Sequence, residues 1–220
     1  VAGYSTASVI QHTLAMAFHF IHPISRFAEF TASGKWVNYK TFNYALPYSE
    51  LAGKKWGIIG LGTIGTGVAK IASAFDCEVA YYSTSGRNTE REYAHNNLEE
   101  LLSTSDIISI HCPLNEQTKN LINRSNLNTI KQGAIVINVG RGQIINENDL
   151  ANYLTEDPKC YFALDVLEEE PMSPNSALKN LLQNERLLLT PHVAWASNES
   201  MKRLERGVIE NIKEFLNEAN

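Results

Sequence analysis

The sequence predicts an α/β protein built on a doubly wound parallel sheet. Three observations carry that expectation. Trp56 to Ile59 is a short apolar run that ends in Gly60-Leu61-Gly62-Thr63-Ile64-Gly65, after which apolar residues recur at helical spacing (Ile64, Val68, Ile71, Ala72, Phe75). Short apolar runs then alternate with helical patterns to the end of the chain, as in stacked βαβ units. Several of those runs, such as Ile107, Ile108 and Ile110, are apolar on both faces, as strands covered by helices on both sides must be. The length of 220 residues fits one large domain, or one and a half.

In chain order, Ser5-Thr6-Ala7-Ser8 is expected to cap a helix running to about Ile21. Leu14 to Phe18 leaves the middle of that helix without a polar face, which makes it a core helix or one buried in a subunit interface. Ile24 to Tyr48 carries Phe27, Phe30, Trp36, Tyr39, Phe42, Tyr44 and Tyr48 with little regular period. Such a segment needs a partner surface, so residues 5–48 are read as a dimerisation segment.

Leu51 to Lys55 turns into the first strand and the glycine motif. Gly60 permits the tight turn, Gly62 lets a pyrophosphate approach the backbone, and Gly65 lets helix and strand pack closely. The free N–H groups at the helix start, with Thr63 and Ile64 in its first turn, then face the phosphates. Cys77 to Tyr82 is the second strand, with Val79 and Tyr81 alternating against Glu78 and Ala80. About 20 residues after the motif such folds place an acid for the ribose hydroxyls. This chain has Ser83-Thr84-Ser85-Gly86-Arg87 instead. No carboxylate there repels a 2′-phosphate, the hydroxyls can hydrogen-bond one, and Arg87 can pair with it. The motif implies NAD or NADP, and this segment points to acceptance of NADP.

Leu98 to Leu102 is a short helix with Glu99 and Glu100 outward, and Asp106 to His111 is the third strand, leading into Cys112-Pro113-Leu114. The carboxyl ends of parallel strands border the cofactor crevice, so His111 reads as a structural histidine touching the cofactor. Ser125 to Ile130 is helical, and Gly133 to Val139 is the fourth strand, ending in Gly140-Arg141-Gly142. An Arg between two glycines at a strand end suits a bidentate hold on a carboxylate. Asn146 starts a helix over Asn148 to Leu154, and Tyr161 to Val166 is the fifth strand. Of the glutamates after it, Glu170 is the one held by Pro171. Leu187-Leu188-Leu189 is the sixth strand, closed by Thr190-Pro191-His192, and Ser197 caps a last amphipathic helix with Met201, Leu204, Val208, Ile212 and Phe215 on one side.

Composition narrows the function. With a net charge of -5 and no Lys/Arg cluster, nucleic acid is not an expected partner. The longest early apolar run, Leu14 to Phe18, is far too short to span a bilayer. Cys77, Cys112 and Cys160 are widely spaced and form no C-x-x-C, so each reads as a small buried residue, with no disulfide and no zinc site. Together these point to a cytoplasmic protein.

Several motifs occur together and in order: the glycine motif, His111-Cys112-Pro113-Leu114, Asn138-Val139-Gly140-Arg141-Gly142, Leu164-Asp165-Val166 through Glu170-Pro171, and Thr190-Pro191-His192. In these the chain resembles the D-isomer-specific 2-hydroxyacid dehydrogenases over nearly its whole length. Val1-Ala2-Gly3-Tyr4-Ser5-Thr6 and Ala194-Trp195-Ala196-Ser197 resemble the glycerate dehydrogenase (hydroxypyruvate reductase) branch. The resemblance implies hydride transfer between a nicotinamide cofactor and a small D-2-hydroxy acid or 2-keto acid, with glycerate and hydroxypyruvate or glyoxylate favoured.

It implies a catalytic Arg141, Glu170 and His192: His192 moves the proton, Glu170 orients it, and Arg141 binds the carboxylate and polarises the carbonyl. Cofactor contacts fall on Gly60, Gly62, Thr63, Ile64, Gly65, His111, Cys112, Pro113, Val139 and Gly140, and Asp165 falls on the aspartate that meets the nicotinamide carboxamide. Ser83 stands where the family commonly has an aspartate. The family's two-domain layout makes residues 1–196 the dinucleotide-binding domain and 197–220 a helix returning to a substrate domain whose N-terminal part is absent. Family members pair as dimers through the segment matching 5–48. Two alternatives share the fold: a dinucleotide-sensing corepressor, and a formate dehydrogenase, against which Glu170 speaks because those enzymes pair the histidine with a glutamine. Trp195, beside the histidine, is expected to limit substrate size.

Overall fold

In the computed structural model, residues 1–39, 47–87, 92–156 and 158–218 are described. Two adjacent parallel strands, β1 (Lys55–Ile59) and β4 (Ile107–Ile110), mark the place where the sheet changes direction. From β1 the chain winds outward through β2 (Glu78–Tyr82) to β3 (Ala94–His95). From β4 it winds the other way through β5 (Ile135–Asn138), β6 (Tyr161–Leu164) and β7 (Leu187–Leu189). The result is a seven-stranded sheet of order β3-β2-β1-β4-β5-β6-β7, all parallel. Ligands in such sheets lie outside the carboxyl ends of the strands at this switch point.

The sheet is buried on both faces. On one side Ile58, Ile107 and Ile137 pack against α1 (Thr6–Ile21) and α3 (Thr63–Ala74) through Leu14, Met16, Val68 and Ala72. On the other, Ile108, Ile110, Val136 and Phe162 pack against α4 (Leu98–Thr104), α5 (Arg124–Leu127) and α6 (Glu147–Glu156) through Leu101, Leu102, Leu127, Leu150 and Leu154. Consecutive residues of β4 therefore enter opposite cores, as a period of two requires. The one indole in this sheet, Trp56, is fully buried and donates its Nε1–H to Ser109 Oγ at 2.9 Å, which satisfies both groups across the β1–β4 pair.

The expected architecture stands, with corrections in detail. There is a seventh strand, β3, only two residues long and exposed, too short to register as an apolar pattern. Ala80, expected to face out, is fully buried because β2 is covered on both sides. Ser5 takes the position before α1, but its side chain makes no capping hydrogen bond. Part of the aromatic segment is regular: α2 (Ile24–Ala32) is followed by a 3₁₀ turn at Lys35–Asn38. Several of its described aromatics contact one another or His22. Tyr48 stacks on His22 at 4.4 Å and meets Phe27 edge-on, and Phe30 meets Tyr39 edge-on. Trp36 and Tyr48 remain more than half exposed. Phe42 and Tyr44 lie outside the described residues.

Asn97, Asn146 and Ser197 cap the starts of α4, α6 and α7 (Asn198–Glu218), each accepting a backbone N–H three residues on. The first turns of α7 are fixed to the start of the chain, where Arg203 Nε donates to the Tyr4 carbonyl at 2.7 Å. Beyond them its apolar stripe (Val208, Ile212 and Phe215) is exposed, as is Met201 in the first turn. All three cysteines are buried and unpaired, as expected.

Candidate active site

The glycine motif forms the first wall. Gly60 has φ +94°, a left-handed backbone that disfavours any side chain, and a Cβ there would lie 2.7 Å from the Cys112 nitrogen. A Cβ on Gly65 would lie 2.3 Å from the Gly60 carbonyl, so α3 can approach β1 only through glycine. A Cβ on Gly62 would meet open space, and no side chain caps α3. The first amides of α3, those of Thr63, Ile64 and Gly65, thus face an open, uncapped helix end that suits a pyrophosphate.

His111-Cys112-Pro113 lies against this wall. Both ring nitrogens of His111 are buried without a hydrogen-bond partner among the described residues. A buried polar group without a partner is costly, and a ligand at this strand end can supply one. Burial pushes the His111 imidazole down to about 3. It also pushes the Cys112 thiol up to about 11, which makes it an unreactive lining residue.

The His111 shift makes a prediction with a definite sign. Between pH 6.5 and about 3 the unfolded chain binds a proton at His111 and the folded chain does not. Its contribution to stability is therefore complete above pH 6.5 and is lost as the pH falls, by up to about 1.4 kcal/mol per pH unit. Urea unfolding of His111→Leu between pH 4 and 6 should show a correspondingly flatter decline than the parent.

The next wall comes from β5. Asn138, 1% exposed, donates its Nδ2–H to the Arg141 carbonyl and accepts the Gly140 N–H through Oδ1, which fixes the Gly-Arg-Gly bend. A Cβ on Gly140 would lie 3.2 Å from the Cys112 carbonyl, and one on Gly142 would overlap the Leu167 carbonyl group, so this bend touches the segments on both sides. The Arg141 side chain is exposed, and its Nη1 donates to the Gly140 carbonyl at 2.8 Å.

β6 and β7 supply the remaining two residues. Glu170 accepts the Leu167 N–H through Oε1 and meets His192 Nδ1 through Oε2 at 2.5 Å. With Nδ1 engaged, Nε2 is the nitrogen left for a substrate. The Glu170–Pro171 peptide bond is cis. The pair borders a cavity of about 480 Å³ lined by Leu167, Met172, Leu182 and Leu189. His192 itself has φ +52°, unusual for a side-chain-bearing residue, and its N–H donates to the Thr190 carbonyl.

Asp165 is 1% exposed. Its Oδ1 accepts Thr190 Oγ1–H (2.6 Å) and the Val193 N–H, and its Oδ2 accepts the Ala194 N–H. Burial opposes its charge, but His12 beside it and hydrogen bonds from Thr190, Ala194 and Val193 outweigh that and hold the carboxyl below the usual range.

The structure thus brings Glu170 and His192 into contact and sets the Arg141 bend against the loop that carries Glu170. Sequence reasoning missed Asn138, Thr190 and His12; the signal for Asn138 was a lone amide at the end of an apolar strand. In the Ser83–Arg87 segment Ser83 is 8% exposed at the end of β2, and its carbonyl accepts the Gly86 N–H in a turn that leaves Ser85 and Arg87 exposed and Thr84 half-buried.

Fold and site together define a dinucleotide-binding domain with a Glu170–His192 pair at the carboxyl edge of its sheet. Residues 14–194 match the family model described as D-isomer specific 2-hydroxyacid dehydrogenase, NAD binding domain, and the chain belongs to that family. It is 36% identical over 218 residues to a hydroxypyruvate reductase from Blautia hydrogenotrophica, covering 97% of this chain and 66% of that protein. The D-lactate dehydrogenase of Aquifex aeolicus, solved with NAD and lactic acid, superposes with a TM-score of 0.85 at 27% identity over 99% of this chain and 68% of that one. An acyclic imino acid reductase solved with NADPH and D-Arg superposes with a TM-score of 0.82 at 31% identity over 98% of this chain and 66% of that one. The chain therefore spans about two thirds of the length of the proteins it matches. Among the described residues no helix is long and apolar enough to cross a membrane, and no cluster of side chains suits a metal ion.

Proposed function

We propose that the whole protein is an NAD(P)-dependent D-2-hydroxyacid dehydrogenase acting on a small 2-keto acid such as hydroxypyruvate or glyoxylate. The single observation that carries this reading is the Glu170–His192 pair, set at the same sheet edge as Arg141 and the open glycine-lined end of α3. The nicotinamide cofactor supplies the hydride. His192 gives a proton from Nε2 to the carbonyl oxygen on reduction and takes it back on oxidation. Glu170 holds Nδ1, which fixes the ring and its tautomer. Arg141 swings from the Gly140 carbonyl to the substrate carboxylate and stabilises charge developing on the carbonyl. Asp165 Oδ2 accepts one N–H and keeps a lone pair for the carboxamide of the cofactor.

Residues 1–196 are the dinucleotide-binding domain, and 197–220 return to the substrate domain. The exposed apolar stripe of α7 supports that division. The partner is a second copy of the chain. The exposed row Ala7, Gln11, Ala15 and His19 on α1, with Trp36 and Val37 nearby in sequence, supports a dimer built on 5–48. The three unpaired cysteines support a cytoplasmic setting.

Ser83, Thr84, Ser85 and Arg87 are the groups that would meet a 2′-phosphate. Calorimetric titration of the chain with NADH and NADPH is the test. NADPH should bind at least as tightly as NADH, and Arg87→Ala should weaken NADPH alone by about tenfold, the loss of one hydrogen bond to a charged group. A strong NADH preference that Arg87→Ala leaves untouched would assign the ribose to other residues. Failure of both cofactors to bind would overturn the dinucleotide reading of this domain.

A further inference from the structure

We infer that His12 and Ser8, on the half-buried helix α1, are positioning residues for the loop that carries His192. The inference rests on the reading of His192 as the proton-transfer residue and adds residues that lie outside the motif set.

Two side chains of α1 reach this loop. Ser8 Oγ donates to the Ala194 carbonyl at 2.6 Å. His12 Nε2 lies 3.1 Å from Thr190 Oγ1 and 3.4 Å from Asp165 Oδ1. Proton counting orders this chain. Asp165 is ionised and can only accept, so the Thr190 hydroxyl hydrogen points to Asp165 Oδ1. The lone pair of Thr190 Oγ1 then faces His12, so His12 carries its hydrogen on Nε2 and donates it. The relay runs His12 Nε2–H to Thr190 Oγ1–H to Asp165, and Asp165 in turn holds the N–H groups of Val193 and Ala194.

The geometry of His192 explains what this anchoring does. His192 sits between Thr190 and Val193 with a left-handed backbone at φ +52°. A non-glycine residue keeps such a conformation only when its surroundings over-determine it. Thr190 is fixed on one side by Asp165 and His12, and residues 193–194 on the other by Asp165 and Ser8. Glu170 can orient the imidazole through Nδ1, but it cannot set where the Cα of His192 lies. That task falls to α1 and Asp165.

The test uses the full-length enzyme carrying His12→Leu, His12→Gln or Ser8→Ala, with His192→Ala as reference. The readouts are kcat, KM for the keto acid, the dinucleotide dissociation constant and Tm. A displaced proton donor slows the chemical step, so His12→Leu should lower kcat by about tenfold or more while dinucleotide affinity changes less than about twofold. His12→Gln places an N–H where Nε2 was and should restore kcat to within about threefold of the parent. Ser8→Ala should give a loss of a few-fold. A lower Tm with unchanged kcat in His12→Leu, or equal losses in His12→Leu and His12→Gln, would overturn the proposal. If His12→Leu does not fold, Ser8→Ala and His12→Gln decide, and full kcat in Ser8→Ala counts against it. If His192→Ala keeps its activity, the parent reading fails. If His192→Ala is inactive and His12→Leu is not impaired, only the positioning role fails.

Discussion

Replacing His192 with alanine in the full-length protein should lower kcat/KM for a 2-keto acid by about 10²–10⁴-fold, the range for losing a positioned general acid. Dinucleotide affinity should be nearly unchanged, because His192 and the glycine motif follow different strands of the sheet. Glu170→Gln keeps the size of the side chain and a carbonyl oxygen to accept the Nδ1–H, but loses its charge. It should cost less than His192→Ala, and steady-state kinetics on both variants, each paired with a cofactor titration, checks the division of roles. Near-normal turnover in His192→Ala would remove the histidine from the mechanism.

The second large effect is structural. In Gly142→Ala the new Cβ would sit 1.9 Å from both the carbon and the oxygen of the Leu167 carbonyl. Both are backbone atoms, so relief requires moving either the Arg141 bend or the loop that leads to Glu170. Overpacking against side chains alone costs roughly 1–3 kcal/mol, so a backbone overlap should cost about 3 kcal/mol or more. In a chain of this size that lowers Tm by roughly 6–12 °C. Activity should fall further than stability predicts, since the two loops that move carry Arg141 and Glu170. Thermal melts alongside kcat measurements separate the two effects. A variant that melts like the parent would show that the loops part without strain.

The fold was legible where burial on both faces imposes long apolar runs. Ile107 to Ile110 and Ile135 to Ile137 announce strands, and the glycines of the 60–65 motif announce a turn that only they can make. What escaped was β3, whose two residues are exposed and carry no pattern. α2 escaped as well, although Pro23 directly precedes it and Gly34, with φ +73°, lies just past its end. In the site, Arg141, Glu170 and His192 were readable because each follows a strand in a compact motif. Asn138, Thr190 and His12 were not, because their significance is a matter of partners. His12 looks in sequence like a polar break beside an apolar run, and only the packing of α1 across β5 and β6 brings it to Thr190.

The links between α1 and the His192 loop have a consequence for the order in which the protein is made. Ser8 and Ala194 are 186 positions apart, and His12 and Thr190 are 178 apart. During synthesis α1 leaves the ribosome long before its partners exist, whereas β1, α3, β2 and β4 all lie between residues 55 and 110. Contacts between distant segments form late and slowly. The nascent chain is therefore expected to form the glycine-lined end of α3 first and to fix the His192 loop last.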